Sequence, residues 1–400
     1  MVPPALSRYR TDVEDSARWD GFDFRAGDIV ISAPSKSGTT WTQMICALLV
    51  FQTPDLPAPL STLSPWLDMR VRPIEEVRRH LAAQEHRRFI KTHTPLDGVP
   101  YDERVTYLAV FRDPRDVVVS LLHHGRNLDR QRIAALVAQV DAAVRPDPGS
   151  ARPAGAPPVG SAALLDAAMG ESPPVEKTSP PPVEVASPPP VEVASPPPVE
   201  EAAQRPSRNQ RRLVTHPSSP GGQPARRPSQ TDVGDSGRSP EQEASRAAML
   251  AWMRSEVSPY ENLDTLRGIC WQAGVAWDRR ELPNVVLVHY GNLSAGLAAE
   301  MRRIAGRLGI AVPEERWPAL VEAATFERMS RRPASFAPDE GLGFFHDPAR
   351  FFRRGGSGEW ATALASDDLK EYADRLATLA PPELAAWLQG DRRTRPLAGD

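Results

Sequence analysis

The chain has 400 residues, and 48 Lys and Arg against 51 Asp and Glu leave a formal net charge of −3. That balance gives no general attraction for nucleic acid or an anionic membrane surface. The longest apolar run, Met44 to Phe51, is far too short to cross a bilayer, and the polar amino terminus lacks the apolar core of a signal peptide.

Four hundred residues exceed one comfortable core, but a large part of this chain is not built to fold. Residues 146–240 hold about half of the 43 prolines and no Phe, Trp or Tyr. They contain the octad Ser-Pro-Pro-Pro-Val-Glu-Val-Ala at Ser179, again at Ser187, and altered at Ser195. Proline removes backbone donors and the missing aromatics remove any core, so this is read as a disordered, polyproline-II-rich insertion. It turns basic after Gln204. A tolerated surface-loop insertion is the plain reading; a ligand for a proline-recognising domain or an acidic protein partner is the sharper one. The expected organisation is a folded part over 1–145, the insertion over 146–243, and the rest of the same domain over 244–400.

In chain order, apolar runs predict strands over 28–33, 88–92, 105–111 and 284–289. Helical periodicity predicts helices over 39–51, 74–83, 114–124, 128–143, 244–255, 260–278, 294–308, 313–324 and 367–379. Strands separated by helices imply an α/β fold, a central parallel sheet with helices on both faces. Cys46 and Cys270 sit in apolar helical contexts and read as buried thiols, not as a disulfide or metal framework. A reducing cytoplasm fits. The aromatic-rich stretch Tyr260–Trp277 is expected to be core rather than a substrate wall.

The most informative segment is Pro34-Ser35-Lys36-Ser37-Gly38-Thr39-Thr40-Trp41. It lies between the first strand and the first helix, where free N–H groups and the helix dipole favour an anion. Lys36 precedes Gly38, so this is not a Walker A sequence, in which the lysine follows the second glycine. Next, Lys91-Thr92-His93-Thr94-Pro95 ends the second strand, and Pro95 stops it near His93. The run to Phe111 then leads into Arg112-Asp113-Pro114, with Asp113 as N-cap and proline at the first helical position. Ser120 lies two helical turns further on. Arg115 and Asp116 are read as a solvated pair.

These segments, in this order and spacing, resemble the cytosolic-type sulfotransferase family. Its 5′-phosphosulfate loop reads Tyr-Pro-Lys-Ser-Gly-Thr-Thr-Trp and is followed by Lys-Thr-His-x-Pro. Its 3′-phosphate signature runs from an Arg to a Ser eight positions later. Further along, Pro283 to Tyr290 is similar to the family's fourth core strand with its adenine-side tyrosine, and Ala324-Thr325-Phe326 to its Thr-Ser-Phe element. Phe352-Arg353-Arg354-Gly355-Gly356-Ser357-Gly358-Glu359-Trp360 resembles its last phosphate loop. The departures are Ser35 for proline, Arg354 for lysine, Gly291-Asn292 for an acidic pair, and Ala361 for a lysine; the family's dimer motif is not recognisable.

The resemblance implies a P-loop-like, nucleotide-binding sulfotransferase that moves a sulfuryl group from 3′-phosphoadenosine-5′-phosphosulfate (PAPS) to a hydroxyl or amine of a small-molecule acceptor. Lys36, Ser37, Gly38, Thr39 and Thr40 are implied at the 5′ end of the donor. Arg112, Ser120, Arg353, Arg354 and Gly355 are implied at the 3′-phosphate, and Trp41, Phe326 and Tyr290 at the adenine. His93, with a reference pKa of about 6.5, is the implied general base. Lys36 is the implied stabiliser of the leaving oxygen, assisted by Lys91. No metal is expected. A P-loop kinase or ATPase would need a Gly-Lys-Ser/Thr and a metal-binding aspartate at a strand end, and neither is found. A catalytically silent scaffold would need neither Lys36 nor His93.

Overall fold

The computed structural model describes residues 6–144, 238–337, 340–353 and 355–390. The proline-rich stretch expected to be disordered falls, up to residue 237, outside the described residues, as does Arg354.

Four strands form one parallel sheet in the order β2-β1-β3-β4: β1 Ile29–Ser32, β2 Phe89–Thr92, β3 Thr106–Phe111 and β4 Val285–His289. Each lies within a residue of its expected run. The strands are buried on both faces, which is why they read as continuous apolar runs. Successive side chains still alternate. Val30, Ile90, Tyr107, Ala109, Phe111, Val285 and Leu287 face one core, and Ile29, Ile31, Phe89, Leu108, Val110, Val286 and Val288 the other.

The described residues include ten helices of seven residues or more: α1 Thr39–Phe51, α2 Ile74–Ala83, α3 Pro114–Gly125, α4 Arg130–Val144, α5 Pro240–Arg254, α6 Leu266–Trp277, α7 Leu297–Leu308, α8 Trp317–Ala323, α9 Ser366–Leu379 and α10 Pro382–Leu388. The first core takes residues from α3, α5, α6 and α9, the second from α1, α7 and α8. A third, smaller apolar cluster joins Met69 and Val71 to α4 and Phe344.

Several boundaries differ from expectation for identifiable reasons. α5 begins at Pro240, inside the stretch assigned to the insertion, because Ser239 and Gln242 form a capping box with proline at the first helical position. The helix expected over 294–308 is broken by Gly296 into Tyr290–Ala295 and α7. α6 starts only at Leu266, capped by the Thr265 hydroxyl. The stretch Tyr260–Trp277 contributes Leu266, Ile269, Cys270, Ala273, Ala276 and Trp277 to the core, as expected, but Tyr260 and Trp271 are exposed, Trp271 donating to the Tyr9 hydroxyl at 2.8 Å. Cys46 and Cys270 are free and buried, and burial pushes each thiol up to about 12.

All four carboxyl ends lie along one edge of the sheet. The chain runs from β1 out to β2 and then back across β1 to β3, so the connections diverge at the end of β1. In open α/β sheets ligands bind at such a reversal. At the opposite edge the buried Arg88 guanidinium grips the buried Asp28 carboxylate, with Nε to Oδ1 at 2.9 Å, and Arg25 N–H donates to the same carboxylate at 2.8 Å. Removing one partner strands the other charge in the interior. Asp28→Ala is therefore expected to destabilise the fold by about 3–5 kcal/mol, read as a lowered urea midpoint, with the residues at the strands' carboxyl ends untouched.

Candidate active site

Every candidate segment emerges from a strand's carboxyl end. The turn after β1 contains two left-handed residues, Lys36 at φ 63° and Gly38 at φ 105°. Such turns curl successive N–H groups into anion-binding nests. The first N–H groups of α1, from Thr39 and Thr40 onward, add donors without intrahelical partners. A Cβ at Gly38 would lie 2.9 Å from the Tyr290 ring, so both the conformation and the close approach require glycine there. Ser37 is fully buried and its Oγ has no hydrogen-bond partner among the described residues. A buried hydroxyl left open in a nest of donors suits an anion's oxygen.

The Lys36 ammonium lies 3.5 Å from His124 Nδ1 and 4.4 Å above the Phe351 ring. Burial, then the charges of Lys91 and Arg112, push it down to about 7. Lys91 itself is buried, with Nζ 3.5 Å above the Trp66 ring.

His93 is buried beside these cations. Its Nδ1 faces the Ala33 carbonyl at 2.5 Å and its ring meets Trp66 edge-on at 4.6 Å. A carbonyl only accepts, so Nδ1 carries the proton and Nε2 keeps a lone pair. The ordinary imidazole pKa expected from the sequence is corrected: burial and the Lys91 and Lys36 charges hold His93 down to about 3. The backbone on both sides of His93 is clamped by buried Asp68. Its Oδ2 accepts from the Thr92 hydroxyl, from the Thr94 hydroxyl at 2.5 Å and from Trp19 Nε1 at 3.2 Å.

At the end of β3, Arg112 donates from Nη2 to the Gly356 carbonyl at 2.7 Å and lies 4.3 Å above the Tyr290 ring. Its Nε is 3.8 Å from Asp116. Asp116 is not solvated as expected: it is buried, and its Oδ1 accepts from Gly358 N–H at 2.7 Å, tying the last loop to α3. Arg115 is likewise drawn inward, pairing with Asp113 and lying 4.0 Å above Trp360. Ser120 is half-buried one turn beyond Asp116, and His124 one turn beyond Ser120, so the three share a helix face. Eight residues of helix from 116 to 124 cover about 12 Å. That row spans from the Arg112 end to the Lys36 end.

Tyr290 links the two ends. Its hydroxyl donates to the Gly355 carbonyl at 3.2 Å and its ring meets Trp41 at 5.2 Å. Trp41 Nε1 donates to the Ala324 carbonyl at 2.7 Å. Phe326 packs on the last loop, and a Cβ at Gly355, whose φ is 62°, would fall 2.4 Å from that ring. Arg353 is exposed and paired with Glu359 rather than turned into the site.

The structure thus brings together Lys36, Ser37, Gly38, Thr39, Thr40, Trp41, Lys91, His93, Arg112, Ser120, Tyr290, Phe326 and Gly355. It leaves Arg353 engaged elsewhere. His124, Asp68, Trp66 and Phe351 were not found by sequence reasoning. Only His124 carried a signal, its spacing of four from Ser120. Among the described residues no group of three or more His, Cys, Asp or Glu is arranged to hold a metal ion, and no helix is long and apolar enough to cross a membrane.

The family model described as Sulfotransferase domain matches residues 26–147 and 253–380. This chain belongs to the sulfotransferase family. It is, as its motifs imply, a PAPS-dependent sulfotransferase. A glycolipid sulfotransferase of Mycobacterium bovis (strain BCG / Pasteur 1173P2) is 38% identical over 393 residues, covering 96% of this chain and 94% of that protein. A protein of the same name from Mycobacterium tuberculosis (strain ATCC 25177 / H37Ra) is 38% identical over 385 residues, with the same two coverages. The fold is also that of retinol dehydratase, crystallised with androsterone and inactive cofactor PAP: TM-score 0.53, 18% identity, 95% of this chain and 88% of that one.

Gly355→Ala is expected to weaken binding of the desulfated nucleotide at least about tenfold by calorimetry, because the loop must shift off Phe326 and leave the left-handed region. Gly356→Ala, with open space at its Cβ and an ordinary φ, is expected to cost less.

Proposed function

We propose that Lys36, Lys91, His93 and Arg112 form the transfer machinery of this sulfotransferase and that its acceptor is a hydroxyl of a glycolipid-like small molecule. The observation carrying this reading is that two cations, Lys36 and Lys91, act on one neutral imidazole whose Nδ1 faces the Ala33 carbonyl and whose Nε2 lone pair is left over. The β1–α1 turn, with the open Ser37 hydroxyl and Lys36, receives the phosphosulfate end of PAPS. Arg112 and Ser120, with the loop at Gly355, receive the 3′-phosphate, and Trp41, Tyr290 and Phe326 the adenine. Arg353 joins the 3′ end once it leaves Glu359, and Arg354 is assigned there from its place in the motif alone.

In this reading His93 Nε2 takes the proton of the acceptor hydroxyl as its oxygen attacks sulfur. Lys36, with Lys91, offsets the charge that grows on the departing phosphate oxygen. The low basicity of His93 comes first from burial and then from the Lys91 and Lys36 charges. A polyanionic donor offsets those two charges and so raises the basicity of His93. The glycolipid assignment rests on the names of the relatives at 38% identity. Reaction in a reducing cytoplasm agrees with the two free thiols.

His93→Ala is expected to lower turnover by at least about 10²-fold while leaving desulfated-nucleotide affinity nearly intact, whereas Arg112→Ala weakens that affinity. Equal loss of binding in both would refute the separation of roles. Mass detection of a sulfo group on members of a glycolipid pool, with simple phenols as comparison, tests the acceptor.

The nucleotide's affinity is also expected to depend on pH. Free Lys36 titrates at about 7, and a bound anion raises that value. Between the two pKa values binding takes up a proton, so affinity falls as pH rises from 7 towards 9, by at most about tenfold per unit. Titration in buffers of different ionisation enthalpy reads the proton uptake directly, and Lys36→Met is expected to abolish it.

A further inference from the structure

We propose that His124 is a second catalytic imidazole, which steadies Lys36 through Nδ1 and presents its Nε2–H to the sulfuryl group in flight. This role rests on the proposed transfer machinery and adds a residue that the motifs do not name.

Three observations on α3 and its neighbours carry it. His124 lies one turn from Ser120 and two turns from Asp116, on the face that runs from Arg112 to Lys36. Its Nδ1 is 3.5 Å from the Lys36 ammonium. Its ring is held by Phe345 and Phe351, with centroids at 5.6 and 6.2 Å, and Phe351 also covers Lys36.

The hydrogen-bond partners then give the two histidines opposite tautomers. A protonated Lys36 has no lone pair, so below its pKa of about 7, or with an anion bound, His124 Nδ1 accepts and its proton sits on Nε2. His93 faces a carbonyl, so its proton sits on Nδ1 and Nε2 is bare. One imidazole offers a lone pair and the other an N–H. Burial, and then the electrostatic action of Lys36, Lys91 and His93, keep His124 neutral. A neutral N–H donor adds transition-state stabilisation without a fourth positive charge.

The step balances. The acceptor O–H bond breaks and its proton passes to His93 Nε2 as the acceptor oxygen bonds to sulfur. The bond from sulfur to the bridging oxygen breaks, and its electron pair stays on the departing nucleotide's phosphate, facing Lys36. His124 Nε2–H donates to a non-bridging sulfuryl oxygen throughout and keeps its proton.

A ring that merely fills space under Phe345 and Phe351 would be replaced without loss by another ring. His124→Phe keeps the ring and removes both nitrogens, and His124→Gln puts an amide donor near the position of Nε2. The expected result is a fall in kcat of about 10²-fold for Phe and a smaller fall for Gln, with desulfated-nucleotide affinity within about threefold of wild type for both. That affinity also reports whether each variant folds; if Phe does not, the drop in kcat for Gln and its unchanged affinity decide alone. Nitrogen-15 NMR of the full chain reads the tautomers independently: the imidazole signal lost in His124→Phe is expected to be Nε2–H, and the one lost in His93→Gln, Nδ1–H. A Phe variant with kcat within about threefold of wild type, equal losses in Phe and Gln, or an Nδ1–H tautomer at His124 would overturn the proposal. Wild type that moves no sulfuryl group from PAPS would instead sink the reading on which it rests.

Discussion

The site depends on the bond from His93 Nδ1 to the Ala33 carbonyl. Ala33 is the last residue before the anion turn, and His93 is the first after β2. The bond therefore ties the candidate base to the floor of the candidate donor site across two neighbouring strands. It also fixes the tautomer, because a carbonyl cannot donate. Asp68 reinforces the arrangement from behind through Thr92 and Thr94, so the residue on each side of His93 is held by the same carboxylate. A base set this way has little freedom to rotate, and that constraint is what makes an unpaired Nε2 useful.

The same arrangement is costly in the nucleotide-free protein. Lys36, Lys91 and Arg112 repel one another, Lys36 sits in the left-handed region at a cost of about 1–2 kcal/mol, and Ser37 buries a hydroxyl with no partner. A multiply charged anion would offset the repulsion and give the Ser37 hydroxyl a partner, while the backbone cost at Lys36 stays. The fold can carry them because the sheet is buried on both faces and its far edge is locked by Arg88 and Asp28. Strain concentrated at one pole and packing at the other is the pattern expected where stability has been exchanged for affinity.

Much of this was legible in the sequence, and the reason is geometric. A parallel strand buried on both faces must be a short apolar run, and the residues just past its carboxyl end line the site, so strand and chemistry adjoin in sequence. Lys36, His93, Arg112 and Tyr290 each come soon after a strand. The illegible part came from pairings distant in sequence. Asp116 reads as a surface charge beside Arg115, and only the approach of Gly358 shows why it is buried. Arg353 reads as a phosphate ligand, and only Glu359, placed by the same loop, shows it engaged elsewhere. Asp68 and Trp66 belong to no motif, yet they fix His93 and Lys91.

The distinction bears on how the two halves of such a site can change. The donor end uses backbone N–H groups and charges placed by turns, and a single residue in a turn alters the chain path. Beside it, Trp66 and α4 pack with Phe344 and Phe345 of the segment 342–351, which is tied by Asp129 N–H to the Phe344 carbonyl at 2.8 Å, by Arg132 to the Leu342 carbonyl at 3.0 Å and by Asn127. Buried Asn127 donates from Nδ2 to the Asp347 carbonyl at 2.8 Å, accepts from Asp347 N–H at 3.0 Å and takes the His346 N–H on its own carbonyl at 2.9 Å. With the backbone held at that point, Phe344, Phe345 and Phe351 can be exchanged for other apolar residues at a cost set by contact area rather than by chain geometry. His124 stands on the boundary, on α3 but beside the Phe345 and Phe351 rings. A change among those rings therefore reaches Lys36 and His124 through Phe351, which covers Lys36 and touches His124 at once.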